Sequence, residues 1–232
     1  MMLQAIELTK KYGDQVALDH LNLSIEPGEV FCLLGQNGAG KTTTINLFLG
    51  FTGATSGKAL VNGVLVSPDH TTTKKFLAYI PEIVMLYANL TSLENLDFFS
   101  RIAGFKYKKE ELENFLLQAG LQTAAFHKRV GNYSKGMRQK VGIAIAVAKN
   151  AEVILMDEPT SGLDPSATHE FSELVRQLSA AGRTVFMATH DIFNAVNVGT
   201  RIGIMRQGSL IHTLDAKDIS AHDLQKLYLE TI

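Results

Sequence analysis

The chain has 232 residues, 46% of them hydrophobic, and a formal net charge of −1. That is enough for one large domain, or a domain carrying a subdomain, and the near-neutral charge gives no support to nucleic-acid or membrane-surface binding through bulk electrostatics. A single cysteine, Cys32, excludes an intrachain disulfide and suits a reducing compartment. The N-terminus opens on a mixed polar segment rather than the apolar core of a secretory signal. The longest near-apolar stretch, residues 141–148, ends at Lys149 and Asn150 and is too short to span a bilayer.

In chain order, residues 2–30 read as β-rich. Leu3, Ala5, Ile6 and Leu8 roughly alternate with polar residues, Gly13 and Asp14 turn the chain, and residues 17–25 alternate until Pro27 and Gly28 break the pattern. Residues 30–34 form a short apolar run of the kind that makes a buried strand, and Cys32 within it reads as core packing. Residues 43–49 fit a helix with Ile45, Phe48 and Leu49 inward. Residues 58–66 form a hairpin candidate turning at Asn62 and Gly63, and residues 76–80 a strand ended by Pro81. From 82 to 150 the pattern is helical. Thr91 and Glu94 spell a capping box, residues 110–119 make a second helix, and a third starts near Ser134. Beyond 150, strands at 153–156 and 184–189 alternate with helices at 167–180 and 192–198. A hairpin then turns at Gln207 and Gly208, and an amphipathic helix covers 216–229. The expected architecture is α/β: a parallel-sheet core (1–81 and 151–232) with an N-terminal antiparallel β subdomain and a helical insertion at 82–150.

Chemistry concentrates in a few stretches. Gly35-Gln36-Asn37-Gly38-Ala39-Gly40-Lys41-Thr42 fits G-x-x-x-x-G-K-[ST] between a strand and a helix, the phosphate-cradling P-loop. Backbone N–H groups must close around a polyphosphate there, and the following helix points its positive end at the same phosphates. Lys41 is expected on the β and γ phosphates and Thr42 on Mg²⁺. The strand at 153–156 delivers Asp157 and Glu158 to the crevice above the sheet: Asp157 for Mg²⁺, Glu158 to polarise an attacking water. Ser134 is a good helix N-cap, and Gly136 beside it gives a phosphate access to the backbone, which makes a second anion site. His190 ends a strand at the same sheet edge and is placed to sense phosphate. Tyr12 sits at a turn and is a candidate to stack on a purine.

Together these stretches resemble the ATP-binding cassette ATPases of ABC transporters, in that family's order and over nearly the whole chain. The resemblance makes Tyr12 the adenine-stacking aromatic and residues 35–42, with Thr43 adding a hydroxyl, the Walker A loop. Glu82 falls where the family has glutamine; it keeps an oxygen to face Mg²⁺ or the water and adds negative charge. Tyr133 to Gln139 is similar to the family signature, with Ser134 and Gly136 kept and Lys135 in place of glycine. Asp157 and Glu158 match Walker B and the catalytic glutamate, residues 161–164, ending in Asp164, the D-loop, and His190 the switch histidine. What the resemblance implies is an ATPase using ATP and Mg²⁺. Two cassettes would pair head to tail, each ATP being held by the P-loop of one and by Ser134 and Gly136 of the other. The pair would serve a separate polytopic permease at the inner face of the membrane, of the export type, with an importer or a soluble assembly machine as the alternative. Asn-Lys-x-Asp, which a GTPase would need, does not occur.

Overall fold

The computed structural model describes residues 1–69 and 71–232. Strands β1 (Leu3–Tyr12) and β2 (Gln15–Ile25) form a hairpin around Gly13 and Asp14. The other edge of β1 pairs with β4 (Ser56–Val61), which turns through Asn62 and Gly63 into β5 (Val64–Leu65). This gives an antiparallel sheet of order β2-β1-β4-β5.

The second sheet contains β3 (Val30–Leu34), β6 (Leu77–Ile80), β7 (Val153–Asp157), β8 (Thr184–Thr189), β9 (Arg201–Arg206) and β10 (Ser209–Asp215). Its order is β10-β9-β3-β8-β7-β6, parallel throughout except for the β10 edge. Every residue of β3, β7 and β8 is buried, which is why these strands read as unbroken apolar runs rather than alternating ones. Their two faces serve different cores. Val30, Cys32 and Leu34 join Ile154, Met156 and Met187 on one side. Phe31 and Leu33 join Leu155, Phe186 and Ala188 on the other, together with the antiparallel sheet. Helix α1 (Lys41–Phe48) is fixed to this second face by Phe48, whose ring meets Phe186 at 6.1 Å, while Phe186 stacks on Phe31 at 5.9 Å. Cys32 is fully buried, and burial pushes its thiol up to about 12.

Between β6 and β7 lie α2 (Ser92–Ile102), α3 (Lys109–Gln118) and α4 (Lys135–Ala148), which pack on one another. The capping box at the start of α2 is formed: Glu94 N–H donates to Thr91 Oγ1 at 3.2 Å, and Thr91 N–H donates to Glu94 Oε2 at 2.8 Å. The Thr91 N–H, and the Thr91 hydroxyl donating to the same Oε2 at 2.9 Å, hold the Glu94 carboxyl below its ordinary value. After β7 come α5 (Pro165–Ala180), α6 (Ile192–Val198) and α7 (Ala221–Thr231).

Two departures from the sequence expectation have a clear local cause. Helix α1 starts at Lys41, two residues early, because Gly40 takes φ 112 and turns the loop directly into the helix. The single helix expected over 216–229 is broken. Residues 216–218 form one tight turn, Ile219 is extended, and Ser220 caps a fresh helix by accepting from Asp223 N–H at 3.1 Å.

Candidate nucleotide site

The crevice lies above the C-terminal ends of β3 and β7. Gly35 ends β3 so tightly that a Cβ there would stand 2.7 Å from the Met205 carbonyl oxygen and 2.9 Å from Ala39 Cβ. At Gly40 both the positive φ and a 2.7 Å approach to the Ala17 carbonyl oxygen require glycine. The loop between them curls back on itself, with Ala39 N–H donating to the Gln36 carbonyl at 3.1 Å. It leads into the N-terminus of α1, whose first N–H groups lack partners within the helix.

Lys41 is buried at 6% exposure. Its ammonium donates to the carbonyls of Gly35 at 2.6 Å and Gln36 at 3.3 Å, and lies 3.5 Å from Glu158 Oε1. Thr42 Oγ1 donates to Asp157 Oδ2 at 2.9 Å, linking α1 to β7. Burial raises the Asp157 carboxyl above its ordinary value; the Thr42 hydroxyl and Lys41 offset this in part, while the charges of Glu158 and Glu82 add to it. Glu158 takes φ 45, a conformation a non-glycine side chain adopts only when its surroundings impose it. Its N–H is held by the Ala188 carbonyl at 2.8 Å. The two carboxylate oxygens differ. Oε2 faces His190, with Nδ1 at 2.8 Å and the backbone N–H at 3.3 Å. Oε1 is buried, faces the Lys41 ammonium at 3.5 Å and accepts no hydrogen bond.

These groups border a cavity of about 430 Å³, within the range of sites for ligands of nucleotide size. Of the residues singled out from the sequence, Tyr12, Gln36, Asn37, Gly38, Gly40, Lys41, Thr42, Thr43, Glu82, Asp157 and Glu158 line it. Gly35 and Ala39 lie beneath it, and His190 reaches it through Glu158. The Tyr12 ring is half exposed, with Lys10 Nζ 4.8 Å from its centroid. The Glu82 carboxylate accepts from Ser161 Oγ at 3.0 Å and pairs with Lys135 at 3.6 Å.

Ser134, Gly136 and Asp164 are not brought into this crevice. They border a separate cavity of about 220 Å³ that shares no residue with the first. Ser134 Oγ caps α4 by accepting from Met137 N–H at 3.2 Å, and Asp164 Oδ1 caps α5 by accepting from Ala167 N–H at 2.9 Å. Lys135 donates to the Ser161 carbonyl of its own chain at 2.6 Å. Sequence reasoning gave Gln139 no role. Its buried amide donates to the backbone carbonyls of Glu82 at 3.3 Å and Pro159 at 3.2 Å; the prior signs were its place at the end of the signature-like stretch and one helical turn after Lys135.

The donor set suits a triphosphate with Mg²⁺. A helix N-terminus and a buried ammonium face the cavity. Thr42 and Asp157 offer a hydroxyl and a carboxylate, and no group of three or more His, Cys, Asp or Glu able to hold a metal occurs among the described residues. Mg²⁺ held by one or two protein oxygens takes its remaining ligands from phosphate and water.

Comparison with known proteins gives a consistent picture. The family model described as "ABC transporter" matches residues 18–161. The chain is 36% identical over 214 residues to the bacitracin transport ATP-binding protein BcrA of Bacillus licheniformis, covering 92% of this chain and 69% of that one. It is 35% identical over 222 residues to the probable multidrug ABC transporter ATP-binding protein YbhF of Escherichia coli K12, covering 95% and 38%. With the Nod factor export ATP-binding protein I of Rhizobium etli it shares 34% over 206 residues, covering 88% and 65%. Among solved structures, cbiO1 from Clostridium perfringens, part of the transporter complex cbiONQ, superposes with a TM-score of 0.86 at 26% identity, covering 98% of this chain and 94% of that one. The dimeric post-hydrolysis cassette MJ0796, bound to ADP and Pi, gives 0.81 at 27%, covering 93% and 99%.

Proposed function

This chain belongs to the ABC transporter family and is one of its ATP-binding cassette ATPases, and on that premise we propose that two cassettes clamp MgATP between them to drive export through a separate membrane subunit. The observation that carries the proposal is the separation of the two anion-binding edges. The P-loop crevice and the Ser134–Gly136 edge open into different cavities, so a nucleotide held by both must lie between two chains. Gly136 supports this. A Cβ there would meet only Ala167 Cβ at 3.5 Å and Leu163 Cδ2 at 3.7 Å, ordinary contacts, so nothing inside the chain demands glycine, and close approach by an outside group supplies the reason. The dimeric MJ0796 cassette is a relative in which two copies do associate.

In this reading Lys41 and the start of α1 hold the triphosphate, and Tyr12 stacks on the base. Thr42 and Asp157 would hold Mg²⁺, which would supply charge neutralisation for the leaving phosphates. Glu158 orients a water through its carboxylate and takes its proton. The water oxygen bonds to the γ-phosphorus as the β,γ-bridging P–O bond breaks, leaving ADP and phosphate, while His190 keeps the Glu158 carboxylate aimed. Residues 82–150 act as a helical unit between core segments 1–81 and 151–232 and receive the membrane subunit. Exposed Ile83, Met85 and Ile102 and the Tyr87–Phe98–Phe99 aromatic group offer an apolar face for it. No helix among the described residues is long and apolar enough to cross a membrane, so a pore would come from that partner, placing the cassette at the inner membrane face. Export is the direction named for the Nod factor relative.

The test is sedimentation of a hydrolysis-impaired Glu158→Gln protein. A dimer formed with MgATP but not without it supports the clamp; a monomer at saturating MgATP overturns it. Co-purification with a polytopic membrane protein supports transport, and a soluble partner favours an assembly role instead.

A further inference from the structure

The first two turns of α4 hold two loops at once. Lys135 Nζ donates to the Ser161 carbonyl at 2.6 Å and lies 3.6 Å from Glu82 Oε1, and that same oxygen accepts from Ser161 Oγ at 3.0 Å. One turn on, and therefore on the same helix face, Gln139 ties together the backbone carbonyls of Glu82 and Pro159. Glu82 follows β6. Pro159 and Ser161 follow β7 and Glu158, and Ser161 N–H returns to the Glu158 carbonyl at 3.2 Å. The start of α4 thus touches, through side chains, the segment that fixes the backbone of Glu158.

Charge makes this more than packing. Lys135 is a cation in the first turn of a helix, where the helix dipole disfavours it, and that turn carries no acid of its own. Glu82 brings the missing negative charge from another segment.

We infer that Lys135 is a positioning residue for hydrolysis. With Glu82 and Ser161 it forms a charge-matched clasp that locks the start of α4 to the loop behind Glu158 within one chain. The edge offered to a second chain's nucleotide then moves as one piece with this chain's own water-activating carboxylate. The inference rests on the two-chain reading above for its consequence in turnover, but not for the clasp itself.

The test compares wild type with Glu82→Gln, Lys135→Ala, the double variant and Lys135→Arg in two measurements. In hydrogen exchange without nucleotide, Lys135→Ala speeds the amides of residues 158–164 by about 5-fold and leaves those of α1 unmoved, since a partly exposed contact is lost while the core is kept. In steady-state hydrolysis, Lys135→Ala lowers kcat by about 10-fold with KM for ATP within about 2-fold, and Lys135→Arg recovers most of the rate. The double variant turns over at least about 3-fold faster than the product of the two single effects, the size of coupling an ion pair of this exposure gives. Unchanged exchange at 158–164, or single effects that simply multiply, overturns the clasp. A wild-type protein that fails to hydrolyse MgATP overturns the two-chain function instead, and the exchange measurements alone then decide the clasp.

Discussion

On the two-chain reading the P-loop crevice and the start of α4 both meet anions, yet they differ in how far the chain completes them. In the crevice the polar groups find one another: Lys41 lies on Gly35 and beside Glu158, Thr42 on Asp157, His190 on Glu158. At the start of α4, Ser134 serves only as a cap, and Gly136 has room for a side chain it lacks. The first region is organised by its own chain; the second has a surplus of permissive chemistry. If two chains close over the nucleotide as proposed, gripping it and closing over it are separable properties, and substitutions should separate them.

The sharpest separation is at Glu158. Glu158→Gln keeps the shape and the His190 contact but loses the base, and turnover falls by at least ~100-fold while nucleotide affinity holds. Near-normal hydrolysis would remove Glu158 from the role. Next is Ser134→Ala, expected to lower turnover about 10-fold and to weaken MgATP-dependent dimerisation in sedimentation without changing nucleotide binding by the monomer. Loss of monomer binding would merge the two regions and break the contrast. Asp157→Asn acts the other way on stability. It removes a carboxylate that burial disfavours, so the melting temperature without nucleotide rises by about 2–4 °C, corresponding to about 1 kcal/mol, even as Mg²⁺-dependent hydrolysis is lost. Because the folded-state value is raised, the folded chain binds this proton more tightly than the unfolded one. Stability from this group declines as pH climbs from 3.8 through the raised value, and the asparagine variant lacks that decline in denaturant titrations across the range. Smallest is Thr91→Ala, which removes the cap of α2 at about 1 kcal/mol and lowers the melting temperature by about 2–4 °C, with turnover little changed.

How much was legible follows from how local each signal is. The P-loop, the acids ending β7 and the caps at Thr91 and Ser134 are written in consecutive residues whose spacing fixes their geometry. The turns at Gly13, Asn62–Gly63 and Gln207–Gly208 were equally readable for the same reason. Strand partners were not: alternation marks β1 as a strand, but only the fold shows that it lies between β2 and β4 with α1 intervening in sequence. The Ser220 cap was missed because an amphipathic stripe runs through the break at Ile219. The contacts of Glu82 with Ser161 and of Gln139 with Pro159 join segments far apart in the chain, and no short pattern announces them.

The depth of Cys32 has a practical consequence. A thiol with no exposure and a titration point near 12 stays inert to maleimides and spin-label reagents at neutral pH. Cysteines introduced at surface positions on α1 and α4 would then be the only sites to take a label, so a distance ruler between the two regions could be fitted to the protein without first removing its native sulfur.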